Sequence, residues 1–486
     1  MLKKIDHKLL LIILFALFAR YWGLKHSFPY IFHPDEATTV RTALGVRFDP
    51  NPAHFDWPHL YIYLNYYVYM IFARVRDVLT TLNIRPIISP IFPLMWNDDL
   101  VFYFITRVFT ATLGALTAIP LYLTGKKVFN KKAGYLAALA IAITPYHSHH
   151  SHYTLTDVPM AFFCAWAVYF SVLVLFKKDL KNYLLAGLFV GFAASTKYNG
   201  ALIALTVVLA HFFRVFSEPK EKITSKLQNL VISGVASVLG FLIGTPYALF
   251  DFKTFSRTDG PAGALWQFTN VGDVNFSQHI GQFFNALINK LPDDFGFTLF
   301  IVFFICFVYL LTQFTKEKVL ANKALWFLVI PSLAFIYYIS GFEKVRSHYF
   351  FMVYPTLILA SACFFSEIVL KPKQAPWTKF ILMAGFLVIP ALYTLRGSYI
   401  LSRKDTRIIL SEWLEEQQMP VYFDDESLKL LLKSGAKKVD YGMTSFSNKG
   451  LYIEADKDSD LDVGVLVFEQ DNYLRTGPPI KVYEIH

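Results

Sequence analysis

Eleven apolar runs divide this chain, at 8–25, 99–125, 133–147, 152–176, 183–197, 199–216, 227–249, 295–315, 324–341, 348–370 and 378–399. Most of them approach the about 20 residues that a helix needs to cross a bilayer. Composition agrees: of 486 residues, 55% are hydrophobic and 17% charged, against about 25% charged in a soluble domain. The expected fold is therefore an all-α polytopic membrane protein of about eleven spans. A net charge of +10 would suggest a nucleic-acid partner in a soluble protein. Here the lysines lie in short loops between apolar runs, where they set orientation, so membrane lipids are expected and nucleic acid is not. Cys164, Cys306 and Cys363 all fall inside apolar segments and read as buried thiols. Lys3, Lys4 and Lys8 precede the first run, and no small-residue cleavage site follows it, so it is read as an uncleaved first span.

The lysines also decide whether a twelfth candidate, 60–75, crosses. The clusters are Lys126/Lys127/Lys131/Lys132, Lys177/Lys178/Lys181, Lys220/Lys222/Lys226, Lys316/Lys318/Lys323 and Lys371/Lys373/Lys379. If 60–75 does not span, all five share the side of the N-terminal lysines, which is the cytoplasm by the positive-inside rule. If it spans, all five face outward. The segment is rich in Tyr and runs into Arg74 and Arg76, as an interfacial helix does. The expected topology has the N-terminus inside and the C-terminus outside. It puts 26–57, 147–157, 197–199, 251–294, 343–348 and everything after about 400 on one extracytoplasmic face.

Composition changes near 400, and two domains are expected, 1–400 in the membrane and 401–486 outside it. "DTRIILSEWLEEQ" has helical spacing, with Ile408, Ile409, Trp413 and Leu414 near one face. "VYFDD", "LDVGVLVFEQ" and "IKVYEIH" read as strands, and "ESLKLLLKSGAKK" as a helix ending near Gly435. That is enough for a small α/β domain.

The residues able to do chemistry collect on the outer face. In "FPYIFHPDEATTV", Asp35 and Glu36 are adjacent acids beside His33. Pro34 followed by acids also suits a helix start. Asp157 sits at the start of the fourth run, in "TLTDVPMAFF", where it too could be a cap. "GFEKVRSHYFFMVYP" supplies Lys344, Arg346 and His348, and "STKYNG" supplies Lys197. Such groups at a membrane face commonly meet lipid phosphate. The stretch "HSHHSHYTLTDVP" adds His147, His149, His150 and His152. If it is helical, His149 and His152 share a face. Histidine can bind metal or, protonated, phosphate. The run is read as polar lining, with His152, the histidine nearest Asp157 in sequence, and Tyr153 as its substrate-facing members. The 251–294 loop, with Trp266, Phe268, His279, Phe283 and Phe284, is either a lid or a passive interfacial segment.

The ordered set of these segments resembles the GT-C superfamily of membrane glycosyltransferases, in particular the protein O-mannosyltransferase, aminoarabinose lipid A transferase and rhizobial lipopolysaccharide-transferase-like group. "HPDE" stands where that family keeps its first acidic motif. "FDWPHLYIYL" resembles its juxtamembrane Pro-Pro-Leu-Tyr helix, with Trp57 in place of one proline. "ITRVFTATLGALTAIPLYLTGKKVF" resembles its second span, which begins near an arginine, here Arg107. "HYTLTDVPMAFF" resembles its second acid, and "KVRSHYFFMVYP" its Arg-containing late span with a Tyr-Pro pair, Tyr354–Pro355. "DTRIILSEWLEE" resembles the opening of its external domain.

The resemblance implies a donor sugar on polyprenyl phosphate and an acceptor hydroxyl on a protein, glycan or lipid. Asp35 would be the base, supported by Glu36, with Asp157 orienting the acceptor. Arg346, Lys197, Lys344 and His348 would stabilise the leaving phosphate, and His33, His152 and Tyr153 would line the site. Metal use differs within the family. If a divalent metal takes part, Asp35, Asp157 and His152 are its candidate ligands. The family further implies a prokaryotic plasma membrane. A transporter or flippase of lipid-linked sugars is the competing class. It calls for charges at mid-membrane and paired broken helices, whereas the acids here lie outside and no repeat is visible.

Overall fold

The computed structural model describes residues 6–217, 223–269, 272, 274–369, 375–417, 419–423, 425, 428, 439–441, 449–455 and 464–485. The expected helix at 426–438 lies almost wholly outside the described residues, as do Lys220, Lys222, Lys371 and Lys373.

The described chain is mostly helical. Among the described residues, six helical stretches are long and apolar enough to cross a membrane: Asp98–Val128, Asp157–Phe176, Tyr198–Ser217, Leu227–Gly244, Ser347–Glu367 and Pro376–Glu415. Phe297–Leu311 and Lys323–Ile339 are shorter apolar helices. The chain is an integral, multi-pass membrane protein. Helix Leu60–Thr81, with Arg74, Arg76 and Asp77 in its second half, is not among the six.

The stretch Ser347–Glu367 is almost entirely buried and forms the axis of the bundle, whereas Leu227–Gly244 keeps most of its apolar surface outward. In lipid an exposed apolar face carries no penalty, so contacts between helices rely on close backbone approach. Helices Leu180–Thr196 and Ile223–Gly244 show how this is done. A Cβ on Gly187 would lie 2.0 Å from the Ser233 carbonyl oxygen, and one on Gly191 2.2 Å from that of Ser237. Any side chain at either position would push the two helices apart.

Several apolar runs of the sequence are broken in the structure, the second and third among them. The second is two helices, Asp98–Leu116 and Ala118–Val128. The third ends at Ala142, and Pro145 opens a separate short helix, Pro145–His150, which contains three of the four histidines. The condition under which His149 and His152 would share a helix face is not met, because the helix stops before His152.

Beyond helix Pro376–Ser402, helix Thr406–Glu415 packs on a mixed sheet of strands β1 (Val421–Phe423), β2 (Val439–Tyr441), β3 (Gly450–Ala455), β4 (Val465–Gln470) and β5 (Ile480–Ile485). The order is β2-β1-β3-β5-β4. β1 pairs in parallel with β2 and β3, while β5 is antiparallel to β3 and β4. β2 and β3 lack a strand pattern obvious enough to be read from sequence. The core of this unit, built on Leu410, Val421, Ile453 and Val482, also receives Tyr30 and Phe32 from the first loop. The Arg407 guanidinium lies 3.4 Å from the centre of the Phe32 ring, and the Tyr30 and Ser411 hydroxyls are 3.1 Å apart. The tail is thereby anchored on the strand of chain that leads into Asp35.

Candidate active site

Pro34 starts helix Pro34–Gly45, and the His33 ring accepts a hydrogen bond from the Asp35 N–H at 3.3 Å, capping it. Adjacent residues on a helix point about 100° apart. Asp35 therefore faces a cavity of about 900 Å³, while Glu36 turns into protein and is 1% exposed. Arg107 donates to Glu36 through Nε at 2.9 Å and Nη2 at 2.7 Å. Its Nη1 donates to the Leu24 and His26 carbonyls at 3.0 and 2.9 Å. The Thr154 N–H donates to the same carboxylate at 3.0 Å. Glu36 thus ties together the first loop, helix Asp98–Leu116 and the segment before Asp157, and it does not line the cavity.

Asp157 opens helix Asp157–Phe176 and is 4% exposed. Its Oδ1 accepts from the Lys197 ammonium at 2.6 Å, and its Oδ2 lies 3.5 Å from His150 Nε2. Lys197 occupies the extended residue between helix Leu180–Thr196 and the 3-10 turn Tyr198–Ile203, and its Nζ is 5.4 Å from the Tyr349 ring centre. The His150 and His348 rings stack at 5.7 Å. Asp35, Asp157, Lys197, Arg346, His348 and His33 all line the one cavity. These residues come from four separate stretches of chain.

Other expected members are placed elsewhere. His150, rather than His152, is the histidine beside Asp157. His152 is buried, with Nδ1 2.9 Å from the Ser148 carbonyl oxygen and Nε2 3.1 Å from that of Trp22. Tyr153 packs on His26 and His33 behind the cavity wall. Lys344 is exposed and does not contribute to the lining. Burial pushes the His149 imidazole down to about 3, so it is neutral at physiological pH. His150 lines the cavity as the polar-lining reading of its run expects, and the cavity also takes in residues not singled out from the sequence as site members: Asp56, Trp57, Tyr198 and Asn199. The 251–294 loop forms part of its wall through Gln267, Val274 and His279, while Phe276 and Phe284 of the same loop stay exposed. Among the described residues, no three His, Cys, Asp or Glu side chains gather as a metal site. The expected trio Asp35, Asp157 and His152 does not come together.

A family model described as dolichyl-phosphate-mannose-protein mannosyltransferase matches residues 102–248, which include Arg107, Asp157 and Lys197. Over 157 residues the chain is 29% identical to dolichyl-phosphate-mannose–protein mannosyltransferase 1 of Saccharomyces cerevisiae, a match covering 30% of this chain and 19% of the yeast protein. ArnT from Cupriavidus metallidurans, solved with undecaprenyl phosphate, shares the fold with a TM-score of 0.55 at 13% identity over 97% of both chains. The oligosaccharyltransferase of Archaeoglobus fulgidus superposes with a TM-score of 0.54 at 13% identity, covering 90% of this chain and 64% of that one. A structure of the archaeal protein with Zn and sulfate is similar to the same degree, at a TM-score of 0.54 and 16% identity over 89% of this chain and 62% of that one. Together with the matched segment, this shared fold supports membership of the GT-C superfamily of membrane glycosyltransferases.

Proposed function

We propose that the chain moves a sugar from a polyprenyl-phosphate donor to an acceptor hydroxyl of a protein, glycan or lipid on the extracytoplasmic face of a prokaryotic plasma membrane. The observation that carries this reading is the meeting of Asp35 with Lys197, Arg346 and His348 in one cavity. A mannosyl or other hexosyl group is the proposed cargo. In this reading about eleven helices span the bilayer, the N-terminus is cytoplasmic, and residues 401–486 form an extracytoplasmic domain on a 1–400 membrane domain.

Asp35 takes the proton of the acceptor hydroxyl as its oxygen attacks the anomeric carbon. The bond from that carbon to the phosphate oxygen breaks, and the electron pair leaves on polyprenyl phosphate. The phosphate gains one negative charge in this step. Lys197, Arg346 and His348 are placed to stabilise it. Asp157 is the positioning residue that aims the Lys197 ammonium, and Glu36 with Arg107 holds the helix that carries Asp35. Lys344, His152 and Tyr153 take no direct part. The residues do not fit a divalent metal. An ammonium already occupies Asp157 at 2.6 Å, and His152 is spent on backbone carbonyls. No step is routed through a metal. Neither the site nor any comparison favours the transporter reading.

The test is release of polyprenyl phosphate from radiolabelled polyprenyl-phosphate mannose and related hexosyl donors, with purified wild type beside Asp35→Asn. Turnover by wild type alone supports both the class and the base. Equal turnover by the two proteins would remove Asp35 from the mechanism.

A further inference from the structure

Asp56 is a third carboxylate of the cavity, beside Asp35 and Asp157, and the chemistry above does not use it. It is about one-third exposed, yet its position is fixed from several sides. Its Oδ1 pairs with Nδ1 of His54, and Nε2 of His54 lies 3.4 Å from the Thr42 hydroxyl. Thr42 is on the helix that carries Asp35. It lies seven residues further along, or roughly 10 Å at about 1.5 Å per residue. On the other side, the fully buried Phe55 donates its N–H to the Ala262 carbonyl at 2.6 Å. The Phe55 carbonyl accepts the Tyr198 hydroxyl at 2.8 Å, and Tyr198 directly follows Lys197. Below, His59 Nε2 lies 2.8 Å from the His54 carbonyl oxygen. The His59 N–H donates to Thr245 at 3.1 Å. A solvent-facing acid needs no such scaffold. Here the loop bridges the helix of the proposed base and the turn of the proposed phosphate-binding lysine, and it leaves a carboxylate on the wall between them.

That position matters if the cavity takes a glycosyl phosphate, the reading on which this inference rests. A sugar whose phosphate lies at Lys197 would have its ring hydroxyls beside the neighbouring wall. We infer that Asp56, held by His54, accepts hydrogen bonds from hydroxyl groups of the donor sugar and makes the site select sugars that have free hydroxyls and no carboxylate. A carboxylate accepts from two neighbouring hydroxyls at once, and such charge-assisted bonds are the strong ones. The same charge, added to that of Asp35, opposes a uronic acid, because like charges close together in a partly desolvated cavity repel.

The experiment measures binding, not turnover, with the full chain in detergent. The ligands are a polyprenyl phosphate, its mannosyl ester and its glucuronosyl ester, and the proteins are wild type, Asp56→Asn and Asp56→Ala. Loss of charge-assisted bonds predicts that both variants bind the mannosyl ester about 10- to 100-fold more weakly and the bare polyprenyl phosphate as well as wild type does. Asp56→Asn should also bind the glucuronosyl ester more tightly than wild type does. Unchanged affinity for the mannosyl ester in both variants would overturn the assignment. An equal loss on all three ligands would overturn it too, since Asp56 would then only hold the loop in place. Wild type that bound neither the mannosyl ester nor bare polyprenyl phosphate would instead overturn the lipid-phosphate reading beneath it.

Discussion

Glu36 and Asp157 are both buried carboxylates bound to a cation, and their partners put them to opposite uses. Arg107 spends four of its five N–H groups: Nε and Nη2 go to Glu36, and Nη1 to the carbonyls of Leu24 and His26. Neither side chain has measurable contact with the cavity, being 0% and 1% exposed. Lys197 gives one N–H to Asp157 and keeps 21% of its side chain exposed. An ammonium carries three N–H groups, so the cation that faces the cavity retains capacity for a ligand. A planar guanidinium suits a sealed joint, and a point charge on a flexible stem suits a site that must exchange partners. The lesson is that burial and pairing alone do not mark function. What marks it is whether the pair is closed on itself or open to a cavity.

Four perturbations would break or sharpen that contrast. The largest effect is expected next to the sealed pair, at Asp35. Asp35→Asn should cut turnover by about 10²- to 10⁴-fold, with bound polyprenyl phosphate undiminished in a filter-binding assay. Retained turnover would mean that the open cavity has its base elsewhere. Next is the sealed pair itself. Arg107→Met leaves Glu36 buried without a countercharge and should cost about 3–5 kcal/mol, read as a lower unfolding temperature in detergent. The double variant Glu36→Gln/Arg107→Met should recover part of that loss. An Arg107→Met protein of normal stability would show that the joint is dispensable.

At the open pair the order reverses. Lys197→Met should lower turnover by about 10²-fold and weaken polyprenyl phosphate binding, while shifting the unfolding temperature less than Arg107→Met does. Lys197→Arg should restore charge without restoring geometry. If Lys197→Met unfolds the protein as readily as Arg107→Met, the two pairs are alike and the distinction fails. The smallest effect is expected at the tail contact. Arg407 reaches Asp405 through Nε at 2.8 Å and Nη2 at 2.9 Å as well as stacking on Phe32. Arg407→Ala should loosen the tail by about 1–2 kcal/mol, detected as faster proteolysis of the C-terminal segment. Unchanged cleavage would show that the tail is held by its core alone.

Much of the frame is legible in the amino-acid sequence. Long apolar runs, lysine clusters in alternate loops, and the acids of "HPDE" and "TLTDVP" are local signals. Such signals single out Asp35 and Asp157, and both line the cavity. The choice between neighbours is not legible in this way. Asp35 and Glu36 look equivalent in sequence, and only the helix rotation imposed by Arg107 separates them. His152 is nearer to Asp157 along the chain, but the short helix after Pro145 ends at His150 and delivers that ring instead. Asp56 sits inside a motif that stands out for its proline and aromatics, and nothing local distinguishes it from a surface acid. β2 and β3 stay hidden because Val439–Tyr441 is short and lies beside no other strand signal, and Gly450–Ala455 is buried along its whole length, which leaves no apolar-polar alternation to read.

By itself, then, the sequence determined that the chain lives in a membrane, which segments are apolar enough to enter it, and which acids and cations are available. These follow from transfer free energies that add up residue by residue along a short window. Tertiary structure decided which of those groups meet. Asp35, Asp157, Lys197 and Arg346 are far apart in the chain, and their convergence depends on the rotation and contact of packed helices. No local sum contains that information, because a side chain's direction is fixed by what the opposite face of its helix must bury.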